Sequence, residues 1–340
     1  MTHFYKDKTI LITGGTGSLG RAITELLVNG AKQFTPKEVR IYSRDLSKQV
    51  ELSRLSSAIS YTTADIRDTK KLEQAMEGVD FVIHTAALKD VAICEKNPVE
   101  ATSINVLGTS AVIEAAQKMG VKRLLFTSTD KAVNPAGAMG ISKAMAERVV
   151  MAKADEYSGL LGDSRRGTPV LSVVRFGNLA GSAGTVIPIF IKQAKDGKQI
   201  TVTDPKMTRF LMTPRSAAEY TLFALENANN GDIIIQKTPS VSLYNIAKCT
   251  TELYSKASEE PIIKIIGARP GEKLFETMAS LNEMIKSIPE GDHYLRIPLK
   301  ATVSEQPNIT CDEYNSLNAS PITDQELKSI IVSIADSLNI

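Results

Sequence analysis

Cysteine and histidine are scarce in this sequence of 340 residues, which contains only three of each. The cysteines are far apart and form no C-x-x-C pair, a distribution typical of free thiols in a reducing cytoplasm rather than of a disulfide framework. The histidines are equally dispersed, so we expect no metal site built from protein side chains. The cysteines are Cys94, Cys249 and Cys311.

Long apolar runs and an excess of one charge are also missing. No apolar stretch approaches the ~18 residues needed to span a bilayer. The opening MTHFYKDKTI lacks the apolar core of a secretory signal, so we expect a cytoplasmic protein without membrane insertion. The formal net charge is only +2. This small net charge and the absence of a basic block argue against a dedicated nucleic-acid-binding protein. They still allow a local basic pocket for phosphates.

The first half of the chain alternates short β-rich apolar runs with segments of helical periodicity. Continuous apolar strands between amphipathic helices are typical of a parallel sheet that is covered on both faces. The sequence therefore predicts an α/β fold with a Rossmann-like, doubly wound parallel sheet. The predicted strands are Thr9–Thr13, Val39–Tyr42, Phe81–His84, Arg123–Thr127 and Leu171–Phe176.

The pattern changes after Asn178, where a loop runs into an apolar segment and short strands mix with helices. A βα-like unit, Asp232–Gln236 followed by a helix from about Leu243, predicts that the chain returns to the sheet. We therefore predict a Rossmann domain and a smaller C-terminal domain that is discontinuous in sequence. The predicted boundaries are 1–177 with about 212–255 for the first domain, and 178–211 with 256–340 for the second.

A glycine-rich segment, TGGTGSLG, directly follows the first predicted strand and opens the first predicted helix. Its glycines satisfy both the dinucleotide-binding fingerprint and the wider-spaced variant of short-chain dehydrogenases. Glycines permit a tight turn and the close approach of backbone N–H groups to a pyrophosphate. The segment therefore predicts a nicotinamide-dinucleotide site formed by Thr13, Gly14, Gly15, Thr16, Gly17, Ser18, Leu19 and Gly20.

The residues after the second predicted strand indicate which dinucleotide binds. Ser43 and Arg44, with Lys48 close behind, supply a hydroxyl and cations that suit the 2′-phosphate of NADP. Asp45 is a competing signal, because a carboxylate at this place usually holds the ribose of NAD. It could instead cap the following helix or pair with Arg44. We predict NADP.

Two further strand ends complete the predicted cofactor site. Asp65 and Ile66 follow a further strand, between Val39–Tyr42 and Phe81–His84, and are expected beside the adenine. Ala86 and Ala87 follow the next strand and are expected along the nicotinamide side.

The segment TSTDKAVNPAGAMGISK begins at Thr127, so its first residues emerge at the carboxyl edge of the sheet, where ligands bind. Asp130 and Lys131 place an acid and a base side by side at this edge. Lys143 lies one helical turn after Met139, on the same face of the predicted helix. The segment is therefore the candidate catalytic centre.

The sequence resembles an extended short-chain dehydrogenase/reductase. More narrowly, it resembles the inverting UDP-N-acetylglucosamine 4,6-dehydratases that begin the synthesis of bacterial surface and flagellin sugars. The resemblance implies that Asp130 and Lys131 are the acid/base pair, that Thr129 polarises the substrate near carbon 4, and that Lys143 holds the nicotinamide ribose. It is carried, in chain order, by TGGTGSLG, YSRD, AALKDV, CEKNP, STDKAVNP, MGISK, RFGN, GTVIPIF, MTRFLM and GARPGEK.

Met139 departs from the wider family, which normally has Tyr four residues before the lysine. A thioether cannot accept the hydroxyl proton that the phenolate takes during hydride transfer. A subgroup associated with capsule and O-antigen N-acetylfucosamine synthesis also has Met in MGxSK. We therefore expect Met139 to pack beside the nicotinamide. We expect Lys131, kept neutral by crowding with Lys143, to take the proton of the carbon-4 hydroxyl.

The resemblance implies the loss of water from UDP-N-acetylglucosamine. A hydride passes from sugar carbon 4 to NADP⁺, Lys131 removes the proton on carbon 5, and Asp130 protonates the leaving hydroxyl on carbon 6. The hydride then returns to carbon 6, with inversion at carbon 5. The resemblance also implies a homo-oligomer, either a dimer or a hexamer.

On the nucleotide-sugar side, the resemblance implies arginine clamps for the pyrophosphate and a glutamate that accepts from the uridine ribose. The expected substrate-binding residues are Asn178, Thr185, Val186, Arg209, Arg269 and Glu272. Two alternatives differ in chemistry. A UDP-N-acetylhexosamine 4-epimerase shares the first hydride step but needs no acid for carbon 6. A non-catalytic dinucleotide sensor would need no acid/base pair.

Overall fold

The computed structural model describes residues 4–30, 35–159, 167–182, 184–255, 263–268, 271–300, 311–338 and 340. The strands in these ranges, in chain order, are β1 (Thr9–Thr13), β2 (Glu38–Ser43), β3 (Ile59–Thr63), β4 (Phe81–His84), β5 (Arg123–Thr129), β6 (Val170–Phe176), β7 (Asn178–Leu179), β8 (Ile200–Val202), β9 (Thr208–Met212), β10 (Ile233–Gln236), β11 (Ser240–Ser242), β12 (Ile263–Ile265), β13 (Thr277–Ala279), β14 (Ile288–Glu290), β15 (Tyr294–Ile297) and β16 (Tyr314–Asn315).

The helices are α1 (Ser18–Asn29), α2 (Leu46–Ser53), α3 (Thr69–Met76), α4 (Val91–Lys96), α5 (Pro98–Thr102), α6 (Gly108–Lys118), α7 (Ala138–Ser158), α8 (Val186–Lys195), α9 (Pro214–Asn227), α10 (Leu243–Tyr254), α11 (Leu281–Met284) and α12 (Asp324–Leu338). A π-helical turn, Ser103–Leu107, joins α5 to α6, and a 3₁₀ turn, Asp130–Ala132, follows β5. Within the described ranges, no helix has the length and apolar character needed to cross a membrane.

One nine-stranded sheet organises the fold, in the order β14-β15-β10-β6-β5-β4-β1-β2-β3. The seven strands β10-β6-β5-β4-β1-β2-β3 are parallel to one another. The strands β15 and β14 extend the sheet beyond β10 in antiparallel pairing. The strand order reverses between β1 and β4, and ligands of such sheets bind in the crevice at that point. The predicted doubly wound α/β fold is confirmed.

Alternating side chains of the central strands bury both faces of the sheet. Leu11, Val82 and Leu124 belong to one apolar layer, which α6 and α7 cover. Ile12 and Ile83 belong to the opposite layer, which α1 and α9 cover. Successive residues of a strand point to opposite faces, so strands with apolar residues on both faces are stable only between two helical layers.

The remaining strands form three small sheets, β11-β9-β7, β12-β8 and β13-β16, and the helices α8, α10 and α12 pack together in a separate apolar cluster. Within 212–255, α9 packs against α1 and β10 joins the large sheet, whereas the apolar face of α10 packs on α8 and α12. Within 256–340, β14 and β15 pair with the large sheet. Each of these two ranges therefore contributes both to the large sheet and to the group around α8.

A buried ion-pair group fixes α7 against the C-terminal part of the chain. Arg175 on β6 is only 3% exposed. Its guanidinium donates to both carboxylate oxygens of Glu147 on α7 (2.9 and 2.7 Å) and of Glu283 on α11 (3.0 and 2.7 Å), and to the Met278 carbonyl (3.0 Å). These bonds use every N–H of the arginine. The helix that carries Met139 is therefore held by directed bonds as well as by apolar packing.

Candidate active site

A cavity of about 1480 Å³ runs along the carboxyl edge of the large sheet, between the sheet and the elements around α8. It brings together most of the residues that the sequence predicted for the cofactor, the chemistry and the substrate. Those in its wall are Gly14, Thr16, Gly17, Ser18, Leu19, Gly20, Ser43, Arg44, Lys48, Asp65, Ile66, Ala86, Ala87, Thr129, Lys131, Met139, Lys143, Asn178, Thr185, Val186, Arg209 and Glu272.

Some predicted residues do not form part of this wall. Thr13 is fully buried beneath the glycine-rich loop, where its hydroxyl lies 2.7 Å from His84 Nδ1. Gly15 faces β2, and Asp130 is fully buried beside Lys131. Arg269 lies outside the described residues, so its role as a pyrophosphate clamp stays a prediction.

Two positions of the loop after β1 require glycine. Gly14 has a φ of +68°, and a Cβ added there would lie 2.7 Å from backbone atoms of Ala86. A Cβ at Gly20 would lie 2.5 Å from the Cα of Gly15. Because α1 has no side-chain cap at Gly17, its first N–H groups are left for a ligand. A tight turn into an uncapped helix N-terminus is the geometry that binds a pyrophosphate.

Beyond β2, Asp45 is a helix cap. Its carboxylate accepts from the Lys48 backbone N–H (3.1 Å) and lies 3.1 Å from Lys48 Nζ, so it is engaged by α2. Ser43 Oγ accepts from the Thr16 hydroxyl, which leaves its own O–H to donate. Arg44 is largely exposed and approaches Asp65 only to 3.8 Å. A hydroxyl and a weakly paired guanidinium therefore remain available to an anionic ligand.

At the carboxyl end of β5, the side chain of Lys131 lies between two carboxylates. Its Nζ is 2.9 Å from Asp130 Oδ1, 3.5 Å from Glu276 Oε1 and 3.0 Å from Asn178 Oδ1. The Thr129 hydroxyl donates to the same Asp130 Oδ1 at 2.9 Å. Asp130 Oδ2 is buried and has no hydrogen-bond partner among the described residues. One oxygen of the Asp130 carboxyl is thus anchored, and the other is uncommitted.

The charges of this group are strongly coupled. Burial raises the pKa of Asp130, and the nearby charge of Glu276 raises it further, against the opposing effect of Lys131. Burial disfavours the charge on Lys131, but Asp130 and Glu276 outweigh it and raise the pKa of that amine. Burial likewise opposes the charge on Glu276, yet Lys131, Lys273 and Arg209 together lower its pKa. Glu276 is therefore the more firmly ionised of the two carboxylates.

Lys143, rather than Lys131, is the lysine in which burial favours the neutral amine. It is 6% exposed, its Nζ donates to the Thr127 carbonyl at 2.7 Å, and it lies 3.9 Å from the centroid of the Phe126 ring. Burial lowers its pKa to about 7, against the opposing charge of Glu147. The expectation of a neutral Lys131 is wrong, because carboxylates flank Lys131 and hold its proton.

Met139 lies in the cavity wall at the start of α7 and is 6% exposed. It packs with Cys94 and Ala101 in a small apolar cluster. Ser142, one turn further along α7, donates to the Met139 carbonyl at 2.8 Å and accepts from Asn105 at 2.9 Å. The thioether is therefore an apolar wall element, supported by hydrogen bonds to the backbone behind it.

The substrate side of the cavity contains a second helix N-terminus. Thr185, the N-cap of α8, donates its hydroxyl to the Ser182 carbonyl at 2.6 Å, so its side chain does not cap the helix. Ser182 Oγ is buried without a hydrogen-bond partner in the described part of the chain. Arg209 is 8% exposed and donates to the Thr208 carbonyl at 2.8 Å. These groups could bind a second anion.

Glu276 lines the cavity and pairs with Lys131, although no motif in the sequence pointed to it. It stands just after the GARPGEK motif, immediately before β13, and heads a run of four buried residues. A carboxylate in so buried a run is a signal, because burial of an unpaired charge is costly. The sequence does not say which cations would compensate it.

A model of the family described as "Polysaccharide biosynthesis protein" matches residues 10–298. The chain belongs to this family. A UDP-glucose 4-epimerase of Rickettsia rickettsii (strain Sheila Smith) is 38% identical to the chain, over 97% of both proteins. The X-ray structure of Pen from Bacillus thuringiensis is 37% identical, covers 97% of this chain and 98% of its own, and has a TM-score of 0.85.

A more distant structure shares the fold. DesIV, a dTDP-glucose 4,6-dehydratase from Streptomyces venezuelae with NAD bound, is 21% identical, covers 78% of this chain and 86% of its own, and has a TM-score of 0.69. The predicted extended short-chain dehydrogenase/reductase fold is confirmed.

The lowered pKa of Lys143 predicts a pH-dependent stability. Its pKa is about 7 in the folded protein against an ordinary value of 10.5, so between these values the unfolded chain binds more protons. The free energy of unfolding therefore rises with pH in this window, by at most about 1.4 kcal/mol per pH unit. Relative to Lys143→Met, the wild-type protein should gain melting temperature between pH 7 and pH 10.

The matched control is Lys118→Met, which removes a lysine whose side chain is 64% exposed. Between pH 7 and pH 10, the range of the test, its melting temperature should differ from that of the wild type by a constant amount. If the difference between wild type and Lys143→Met is equally constant, Lys143 is not a neutral buried amine.

Proposed function

We propose that this protein is a nucleotide-sugar 4,6-dehydratase that acts on UDP-N-acetylglucosamine with NADP. The observation that carries the proposal is the ion pair of Lys131, which lines the cavity, with Asp130, which lies buried behind it with its Oδ2 uncommitted. Oxidation at one carbon needs only a proton acceptor. Loss of water needs, in addition, an acid for the leaving hydroxyl and a base for the proton beside the ketone.

The cofactor side of the cavity fits NADP. The uncapped N-terminus of α1, behind Gly14 and Gly17, would bind the pyrophosphate. The O–H of Ser43 and the guanidinium of Arg44 would bind the 2′-phosphate, while the carboxylate of Asp45 is engaged by α2. When bound, NADP supplies the hydride acceptor for sugar carbon 4 and the hydride donor for carbon 6.

The rest of the cofactor would lie along the carboxyl ends of β3 and β4. Asp65 and Ile66 line the cavity where the adenine is expected, and Ala86 and Ala87 line it toward the nicotinamide. Lys143 reaches the same wall from α7 and would hold the nicotinamide ribose.

The acid and the base of the elimination arise from one proton transfer. If the Lys131 ammonium gives a proton to Asp130 across their 2.9 Å contact, the products are a neutral amine and a neutral carboxylic acid. The amine can then remove the proton on carbon 5, and the acid can protonate the hydroxyl that leaves carbon 6. Thr129 stands at the same wall and would hold the oxygen on carbon 4.

Because Met139 offers no proton acceptor, another group must take the proton of the carbon-4 hydroxyl. Lys143 lines the same wall one turn away, and its pKa of about 7 makes the free amine accessible at neutral pH. We therefore assign this proton to Lys143. Lys131 first passes the proton on its own nitrogen to Asp130. The resulting amine then removes the proton on carbon 5.

The substrate side of the cavity has groups suited to binding a nucleoside diphosphate. The uncapped start of α8 at Thr185 and Val186 would bind the diphosphate together with Arg209. Asn178 and Glu272 line the same part of the cavity and would contact the sugar and the uridine ribose. The Rickettsia relatives are named for a UDP-sugar substrate, which agrees with this reading.

A 4-epimerase that acts on a UDP-N-acetylhexosamine is the second candidate. It is favoured by the name of the relatives that are 38% identical over nearly the whole chain. Such an enzyme moves a hydride at carbon 4 only, and it needs no acid for carbon 6. It gives no reason for Asp130, whose carboxyl is buried with one oxygen uncommitted.

We also propose a homo-oligomer. The apolar side chains of Ile93 on α4, Val99 on α5, and Ile141 and Met145 on α7 are exposed. These three helices contact one another, so the side chains lie on neighbouring elements. Contiguous exposed apolar side chains are typical of protein–protein contact surfaces.

Incubation of the purified protein with UDP-N-acetylglucosamine and NADP tests the proposed function. Mass spectrometry should show a product that has lost one water, and NMR should show a ketone at carbon 4 and a methyl group at carbon 6. Asp130→Asn should lower turnover by about two to four orders of magnitude, the usual contribution of a positioned acid, and leave NADP binding intact.

The alternatives give different products. An isomer of unchanged mass would contradict dehydration and establish the epimerase, and binding of NADP without turnover would indicate a sensor.

The choice of NADP depends on Arg44. Arg44→Asp should weaken NADP binding by about 1.5–3 kcal/mol, the range for a hydrogen bond to a charged group, because the 2′-phosphate loses its guanidinium. NAD binding, measured by the same calorimetric titration, should change little. The control is Arg54→Asp, at the exposed residue that caps the C-terminus of α2 outside the cavity wall. Equal weakening of both cofactors by Arg44→Asp would contradict the assignment.

A further inference from the structure

Lys131 joins two carboxylates that come from distant parts of the chain. Asp130 directly follows β5 and is fully buried, and Glu276 precedes β13 and is 2% exposed. The Lys131 ammonium lies 2.9 Å from the first and 3.5 Å from the second. The acid/base pair of the proposed dehydration therefore has a third ionisable neighbour, to which the reaction assigns no task.

We infer that Glu276 is a positioning residue of this pair: from the other side of the Lys131 ammonium, its carboxylate keeps a proton on Asp130 for delivery to the leaving hydroxyl. The inference rests on the proposed dehydration. Glu276 exchanges no proton itself and stays ionised throughout.

The cations around the two carboxylates decide which of them is charged. Glu276 lies 2.9 Å from Lys273 Nζ and 3.9 Å from Arg209 Nε, in addition to Lys131. Asp130 has Lys131 as its only ion-pair partner among the described residues. Two buried carboxylates that share one ammonium resist simultaneous ionisation. When only one of the two carboxylates is ionised, Glu276 therefore carries the negative charge and Asp130 carries the proton. The raised pKa of Asp130 and the lowered pKa of Glu276 agree with this assignment.

The surroundings hold Glu276 in this place. Its backbone N–H donates to Ser316 Oγ at 3.0 Å, which fixes the start of β13. Lys273 donates to the Val133 carbonyl at 3.0 Å and so attaches the same segment to the turn after Lys131. The segment that carries Glu276 is therefore held at two points, by Ser316 and by the turn after Lys131.

The protons of the elimination balance with this arrangement. Asp130 gives its proton to the hydroxyl of carbon 6, which leaves as water, while Lys131 takes the proton of carbon 5. The result is the ion pair of Lys131 with Asp130. Return of one proton from Nζ to Asp130 restores the acid and the base, and the charge of Glu276 then opposes loss of that proton to solvent because it disfavours a negative Asp130.

Glu276→Gln tests the inference, since it keeps the shape and an oxygen that can accept from Lys131 but removes the charge. Loss of a negative charge lowers the pKa of both Asp130 and Lys131. Both limbs of the pH profile of kcat should therefore move to lower pH. On the alkaline side, kcat should fall about tenfold for each pH unit of displacement and recover as the pH is lowered. Glu276→Asp restores the charge and should move both limbs back toward the wild-type positions.

Asp232→Asn is the matched control. It removes another buried carboxylate, 3% exposed, which pairs with Arg296 at 3.2 Å outside the cavity wall. We expect it to lower the melting temperature and leave both limbs of the profile in place. If Glu276→Gln behaves in the same way, with a lower kcat but unmoved limbs, Glu276 is only structural and the inference is overturned.

A second measurement does not require turnover. In protein labelled with ¹³C at aspartate carboxyls, the Asp130 resonance is identified by its loss in Asp130→Asn. Its titration should move to lower pH in Glu276→Gln, and an unmoved titration would overturn the inference. Failure of the wild-type protein to remove water from the sugar would instead reject the proposed function, so the two failures are distinguishable.

Discussion

The burial of charge at the carboxyl end of β5 is the constraint on which the site depends. Asp130 and Glu276 are almost wholly removed from solvent, and each must be neutral or face a cation, because an isolated buried charge is very costly. Lys131 faces both of them. The protonation states that the proposed dehydration needs, an acid beside a base, therefore depend on the number of cations that each carboxylate meets, and Glu276 meets more.

The fold brings these groups together from three directions. The parallel sheet places Thr129 to Lys131 at the crevice that also contains the glycine-rich loop. The bonds of Arg175 to Glu147 and Glu283 fix α7, so that Lys143 lies against the same crevice. They also engage Glu147 with an arginine, which leaves burial as the main influence on the pKa of Lys143. A rigid scaffold thus separates the charge states of two lysines in one cavity.

Local sequence signals were enough to predict the sheet, the glycine-rich loop and the candidate residues on β5 and α7. The glycine spacing after the first strand is a local signal, and it predicts both the tight turn and the anion-binding helix N-terminus that follows. The charge states were not predictable in this way. Lys131 and Lys143 look alike in the sequence, and only the fold brings Glu276 beside the first and removes the second from solvent. The capping role of Asp45 likewise became clear only from its bonds to Lys48.

A single-turnover measurement with Lys131→Ala tests the central claim most directly, namely that Lys131 acts on carbon 5 and Lys143 takes the carbon-4 proton. The variant is mixed with UDP-N-acetylglucosamine and NADP⁺, and the absorbance of the reduced cofactor is followed. Oxidation at carbon 4 should proceed, so reduced cofactor should accumulate and persist while no water is lost. If a variant that binds both ligands forms no reduced cofactor, Lys131 takes the first proton and the division of labour between the two lysines is contradicted.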